Sequence, residues 1–225
     1  MCPRCGGRVR PPDLMHTEWR CSSCGSVQPL HVAARVNADV LAAVYEHKRR
    51  FDDMDDPGAA MWCPWPLPPQ WTVTGVGWAG DDRHAPTATA IAISGPVPFA
   101  SGPADVVFVA EQPGVGLGAA LGGLGALDPG PSLSEHVAQR GPDAKVRVSG
   151  HPTPLWTVPC GPDCVVYVGE ARANWVYAIA WPPAAGYLLA DGISLHDLFE
   201  ELPNELVYGA DSGRLRPSPV DVTHF

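Results

Sequence analysis

From Trp71 to about residue 190 the chain alternates short apolar runs with turn residues: "WTVTGVGWA", "TATAIAIS", "ADVVFVAE", "AKVRVS", "PLWTV", "CVVYVGE", "WVYAIAW" and "GYLLA". Each run is rich in β-branched, aromatic or alanine positions, and Gly, Pro, Asp or Asn separates it from the next, the pattern of strands joined by tight connections. Helical periodicity is sparser. Val40, Leu41, Val44 and Tyr45 make one apolar stripe behind Asn37, a residue suited to cap a helix. Lys48, Arg49 and Arg50 follow where cations favour a helix C-terminus. "SLSEHVAQ" opens with Ser132 and Glu135 at capping-box spacing, and "SLHDLFEEL" begins a further short helix at Ser194. So few helices cannot build a regular βαβ series. The pattern predicts an α+β fold with a mostly antiparallel sheet.

Ahead of the strands stands "CPRCGGRVRPPDLMHTEWRCSSCG", in which two CxxC turns lie 15 residues apart and each runs into glycine. A zinc ion takes four soft ligands at the corners of a tetrahedron, and two such turns facing each other supply two thiolate pairs. Cys2, Cys5, Cys21 and Cys24 are therefore the expected zinc ligands, with "RVR" and "TEWR" as short ribbon strands. Four protein ligands leave no open position on the metal, so this zinc is expected to hold structure rather than activate water.

The layout that follows is a zinc ribbon over 1–30, a helix and linker over 31–60, a β-rich α+β domain over 61–216 and a loose tail over 217–225. "DDMDDPG" ends the helix by charge repulsion, Pro57 and Gly58, which sets the boundary near residues 52–60. "MWCPWPLPPQW" then reads as a polyproline-like strap that Trp62, Trp65 and Trp71 clamp to the protein's own surface.

Composition narrows the setting. Glycine (24) and proline (26) fill over a fifth of the 225 residues, which favours turns over helix. No basic segment leading into an apolar stretch opens the chain and no apolar run is long enough for a membrane span, so a cytoplasmic protein without a membrane partner is expected. In a reducing cytoplasm, clustered cysteines favour metal over disulfides. The net charge of −9 is uneven: eight basic residues stand against four acidic ones through Arg50, and seven against twenty after it. A basic front end of this kind suits a protein partner or, as a second possibility, nucleic acid.

Other chemistry is weaker. Cys160 and Cys164 flank "GPD" and, with Cys63 or His151, could form a second metal site or a redox pair. "VVFVAEQPGVGLGAALGG" runs a strand into a glycine-rich loop, where Gly114, Gly116 and Ala119 match a relaxed phosphate-cradling pattern, although Pro113 interrupts it. Asp81, Asp82, Glu111 and Glu170, with Arg172, fall at strand ends or turns, and converging carboxylates among them would serve acid–base work. The eight histidines are scattered, and there is no nucleophile elbow, Walker-type lysine or HExxH.

Taken together, "CPRCGGRVR", "PWPLP" followed by "W", "AGDDR", "GVGLGA", "AKVRVSG" with "PT" and "LW", and "GEAR" before "AIAWP" resemble a family of uncharacterised actinobacterial proteins, some of which carry an automatic phosphotransacetylase label. The resemblance covers nearly the whole length and implies a shared fold, with no established activity to carry over. The residues favour a non-enzymatic, zinc-ribbon adaptor or binding protein. The alternative is a small enzyme for an acyl, phosphoryl or nucleotide substrate, with the Gly114–Ala119 loop, Glu111 and Glu170 at its pocket.

Overall fold

The computed structural model describes residues 1–51, 58–190 and 192–216, and only the backbone of Ser132. It is α+β and mostly β, with few helices and a cysteine cluster near the start. Strands β1 (Val9–Arg10), β2 (Arg20–Cys21) and β3 (Gly25–Ser26) form a small antiparallel ribbon. Helix α1 (Ala38–Arg49) lies between β4 (Leu30–Val32) and β5 (Trp62–Pro64). Next come β6 (Thr72–Asp81), β7 (His84–Pro96), β8 (Pro103–Glu111), helix α2 (Leu117–Gly122) and helix α3 (Gly130–Gln139). The chain continues through β9 (Ala144–Val148), β10 (His151–Val158), β11 (Val165–Ala171), β12 (Asn174–Trp181), a 3-10 helix over Pro183–Leu189 and β13 (Ser194–Asp197). Among the described residues no helix is long and apolar enough to cross a membrane.

The large sheet has the order β4-β6-β7-β8-β12-β11-β10-β9-β13-β5 and is antiparallel except where β13 runs parallel to β9. It coils, so that β5 at its far edge packs back across β7 and β8. Strand alternation then sorts the side chains into two cores. Ile91, Ile93, Phe108 and Val176 point into the coil with Trp62, Leu195 and the Leu41 and Val44 stripe of α1. Ala90, Ala92, Val107, Val109, Tyr177 and Ile179 point outward, beneath Leu117 and Leu121 of α2 and Leu133 of α3. Helix α2 approaches closely because Gly118 lies flat on the Tyr177 ring, where an added Cβ would fall 2.4 Å from a ring carbon. The first helix follows the sequence: Asn37 caps it, its side-chain oxygen accepting from Val40 N at 2.8 Å.

Four local expectations are corrected. "GYLLA" is no strand but the end of the 3-10 helix, which is capped by Pro182, starts at Pro183 and turns Ala185, Leu188 and Leu189 inward; prolines at its head remove the donors a ladder needs. "SLHDLFEEL" opens as β13, with Leu195 and Asp197 inward and His196 outward, because the exposed edge of β9 offers a ladder that outweighs local helix propensity. Helix α3 starts ahead of Ser132, with Asp128 Oδ1 accepting from Gly130 N at 2.9 Å. The tryptophan–proline strap begins as edge strand β5, paired to β13; Trp62 and Trp71 are buried and Trp65 half-buried. The expected boundary signal at 52–57 and the tail at 217–225 lie outside the described residues.

Candidate metal centre

Each CxxC turn is a knuckle whose backbone aims two sulfurs at the same point. In the first, Cys2 N donates to Gly7 O at 2.7 Å and Gly6 N to Cys2 O at 2.9 Å. Gly6 (φ 67°) and Gly25 (φ 78°) take the left-handed conformation that lets the chain leave each knuckle. All four Sγ atoms of Cys2, Cys5, Cys21 and Cys24 lie within 4.8 Å of one another, and those of Cys5 and Cys21 are 3.6 Å apart. Tetrahedral thiolates around zinc, with bonds of about 2.3 Å, stand about 3.8 Å from each other. The quartet could hold a metal ion, and Val9 and Val27 pack against it.

The electrostatics fit that use. Cys21 is held down to about 7: burial opposes ionisation, but the N–H groups of Ser23 and Cys24 point at its sulfur and win. Burial, together with the crowding thiols, pushes Cys2 up to about 11 and Cys24 higher still. Four bare thiolates in this space repel one another, and a divalent cation removes the conflict.

The knuckles are also fastened to the sheet. The Met1 ammonium donates to Leu30 O at 2.7 Å and Leu30 N returns a bond of 2.7 Å to Met1 O. Arg4, between the first two cysteines, donates through Nη1 to Cys24 O (3.1 Å), through Nη2 to Gly114 O (2.7 Å) and through Nε to Val115 O (3.1 Å). One guanidinium thus joins both knuckles to the loop after β8. A cleft of about 330 Å³ opens beside it, lined by Trp19, Gln28, Arg83 and an Asp81–His84 pair at 3.0 Å.

The profile of a family of unknown function, DUF6758, matches residues 1–215, covering the ribbon and the sheet alike. The chain belongs to DUF6758. No curated protein and no solved structure matches it.

In this DUF6758 chain the remaining candidate residues do not form one pocket. Glu111 is buried, and its carboxylate accepts from Leu117 N (2.6 Å) and Gly118 N (3.1 Å), so the N–H groups that would cradle a phosphate are turned inward onto the protein's own acid. Burial drives Glu111 up to about 7 against the pull of those N–H groups. Glu170 shares a register row with it, both facing Trp175 from opposite sides, yet Glu170 is exposed. Asp81 accepts from Arg83 N and His84 N within the β6–β7 hairpin, and Asp82 is exposed. Arg172 bonds Asp197 (3.1 Å) and Glu200 (2.6 Å) rather than Glu170.

The expected second cysteine site also divides. Cys63 is fully buried in β5, inside the coil, which pushes its thiol up to about 12. Cys160 and Cys164 pack on the other core, and His151 is exposed at the head of β10. Two residues escaped sequence reasoning: Arg4, whose loop partners lie 110 and 111 positions away, and Asp197, which joins Arg172 to Met61 N and Phe199 N. No spacing rule reaches across such separations.

Proposed function

We propose that Cys2, Cys5, Cys21 and Cys24 bind one structural Zn²⁺, and that the chain is a non-enzymatic adaptor or binding protein which presents the metal-held ribbon to a protein partner. The observation that carries this reading is the convergence of four sulfurs within 4.8 Å on two knuckles. Zinc is favoured over other ions because an all-thiolate tetrahedral set is its common structural environment. With every coordination position filled by protein, the ion holds the fold, in a reducing cytoplasmic setting where such thiols stay available to metal.

The ribbon surface supports a binding role. Arg10 and Arg20 sit directly opposite each other in the β1–β2 register, both exposed, and like charges so placed cost stability. Among the described residues no carboxylate lies within ion-pairing distance of Arg8, Arg10 or Arg20. At the ribbon tip Asp13 Oδ1 accepts from Met15 N and His16 N, a turn that leaves Leu14 (105% exposed) and Met15 (85%) wholly in water. Asp13 and Glu18 share the concavity with Arg10 and Arg20 without a direct ion pair, and this arginine face beside an apolar tip suits an acidic protein surface with a small apolar recess.

The test is affinity purification of the full chain from its native host. A co-purifying protein should be lost in R10E with R20E, which keeps the metal, and in Cys2→Ser with Cys5→Ser, which loses it. Retention of that protein by a chain lacking residues 1–30, or salt-sensitive capture of nucleic acid in its place, contradicts the assignment.

A further inference from the structure

The β10–β11 hairpin carries two thiols that the metal centre does not use. Its register pairs Trp156 with Val168, Thr157 with Tyr167 and Val158 with Val166. The ladder ends there, and Cys160 and Cys164 lie just beyond it, flanking the turn. Both are half-buried and both pack on the core beneath α2 and α3, on the side that Val158 and Val166 face. Cys160 Sγ donates to Cys164 O at 3.2 Å, so the two residues are in contact across the hairpin mouth. Gly161, Pro162 and Asp163 between them are exposed. A small thiol reagent can therefore reach the pair from the turn side.

We propose that Cys160 and Cys164 are a redox-active dithiol that closes to a disulfide by exchange with a small-molecule disulfide of the glutathione class. Cys160 Sγ already lies 3.2 Å from the Cys164 carbonyl oxygen, which brings the two side chains near enough for a disulfide to be tested. A metal is the poorer occupant, since among the described residues the pair gathers no third cysteine, histidine or carboxylate ligand. The exchange has two steps. The Cys160 sulfur, having given up its proton, attacks the reagent's S–S bond, forming a mixed disulfide and releasing one RS⁻, which takes up that proton as RSH. The Cys164 sulfur then displaces the second RS⁻ from Cys160 and releases its own proton to it. In sum, two protein thiols and RSSR give one protein disulfide and two RSH. Burial and the neighbouring Cys160 thiol push Cys164 up to about 12, which slows its attack at neutral pH, so the second step is carried by its being intramolecular.

The closed ring is short, so it adds little to global stability through chain entropy. Its effect is local. Cys164 Sγ lies 4.0 Å from Gly122 O at the end of α2, so drawing this sulfur toward Cys160 changes the seat of that helix.

The metal-loaded full chain, incubated with oxidised glutathione, alkylated and cleaved with trypsin, reads the outcome directly. Residues 148–172 form one tryptic fragment that holds Cys160 and Cys164 and no other cysteine. The expected result is a fragment lighter by two hydrogens that resists alkylation until a dithiol reductant is added. Cys164→Ser should instead accumulate glutathione on Cys160. Independently of any variant, phenylarsine oxide, which bridges two adjacent sulfurs, should label this fragment of the reduced wild-type chain once. Wild-type protein that stays doubly alkylated, or that takes up glutathione without closing, overturns the proposal; so does failure of the arsenical to label the fragment.

Discussion

Glu111 combines two demands that pull apart. Its carboxylate fixes the first N–H groups of α2, and full burial penalises the charge with which it would do so best. The balance pushes it up to about 7 in the folded chain from an ordinary value of 4.5. Because the folded value is raised, its contribution to stability is complete below the unfolded value and is lost as pH rises through about 7. The loss is on the order of 3 kcal/mol. Both N–H bonds end on one oxygen, which the amide oxygen of Glu111→Gln can replace. Denaturant unfolding at pH 5 and pH 8 should show the variant losing less stability across that interval than wild type. An unchanged pH difference between the two contradicts this account of the loop.

Between elements, the decisive joints are single side chains. Arg4 → Ala should leave the knuckles and their metal in place but free the Gly114 and Val115 carbonyls, at a cost of about 1–2 kcal/mol. Hydrogen exchange at Leu117 and Gly118 should quicken in that variant while the β8–β12 ladder stays protected. The strand assignment of β13 has its own check: Leu195 is 1% exposed inside the coil, and Leu195→Ala should lower stability by about 2–5 kcal/mol. Little change would return residues 194–202 to a loosely packed surface helix.

These joints also mark how far the sequence could be read. The pattern of short apolar runs between turn residues identified the strands from β6 to β12, because a sheet buried on both faces leaves apolar runs with sharp punctuation. It failed at β13, whose Leu195, Leu198 and Phe199 also fit a helical stripe, and where the free edge of β9 decided the outcome. It failed again at the glycine-rich loop. Its composition suggested a phosphate cradle, while the residue that occupies the cradle, Glu111, lay in full view as the end of the preceding strand. The cysteine quartet was legible because the geometry of a knuckle is encoded within four residues.

At the scale of the whole molecule, a coiled ten-stranded sheet supplies the main body, and β1–β3 form a small ribbon beside it whose own apolar core is barely more than Cys2, Cys21 and Val27. So little burial is a poor basis for ordering a three-stranded ribbon, and a metal on the four cysteines would supply what is missing. Removing the ion with a chelator should therefore loosen residues 1–30, while the far-ultraviolet signal of the sheet persists. The most direct measurement is X-ray absorption at the zinc edge of the purified full chain, paired with elemental analysis. One zinc per chain with four sulfur neighbours at about 2.3 Å is the predicted result. A metal-free chain whose ribbon keeps its shape, or a zinc shell containing nitrogen, oxygen or water, would contradict it.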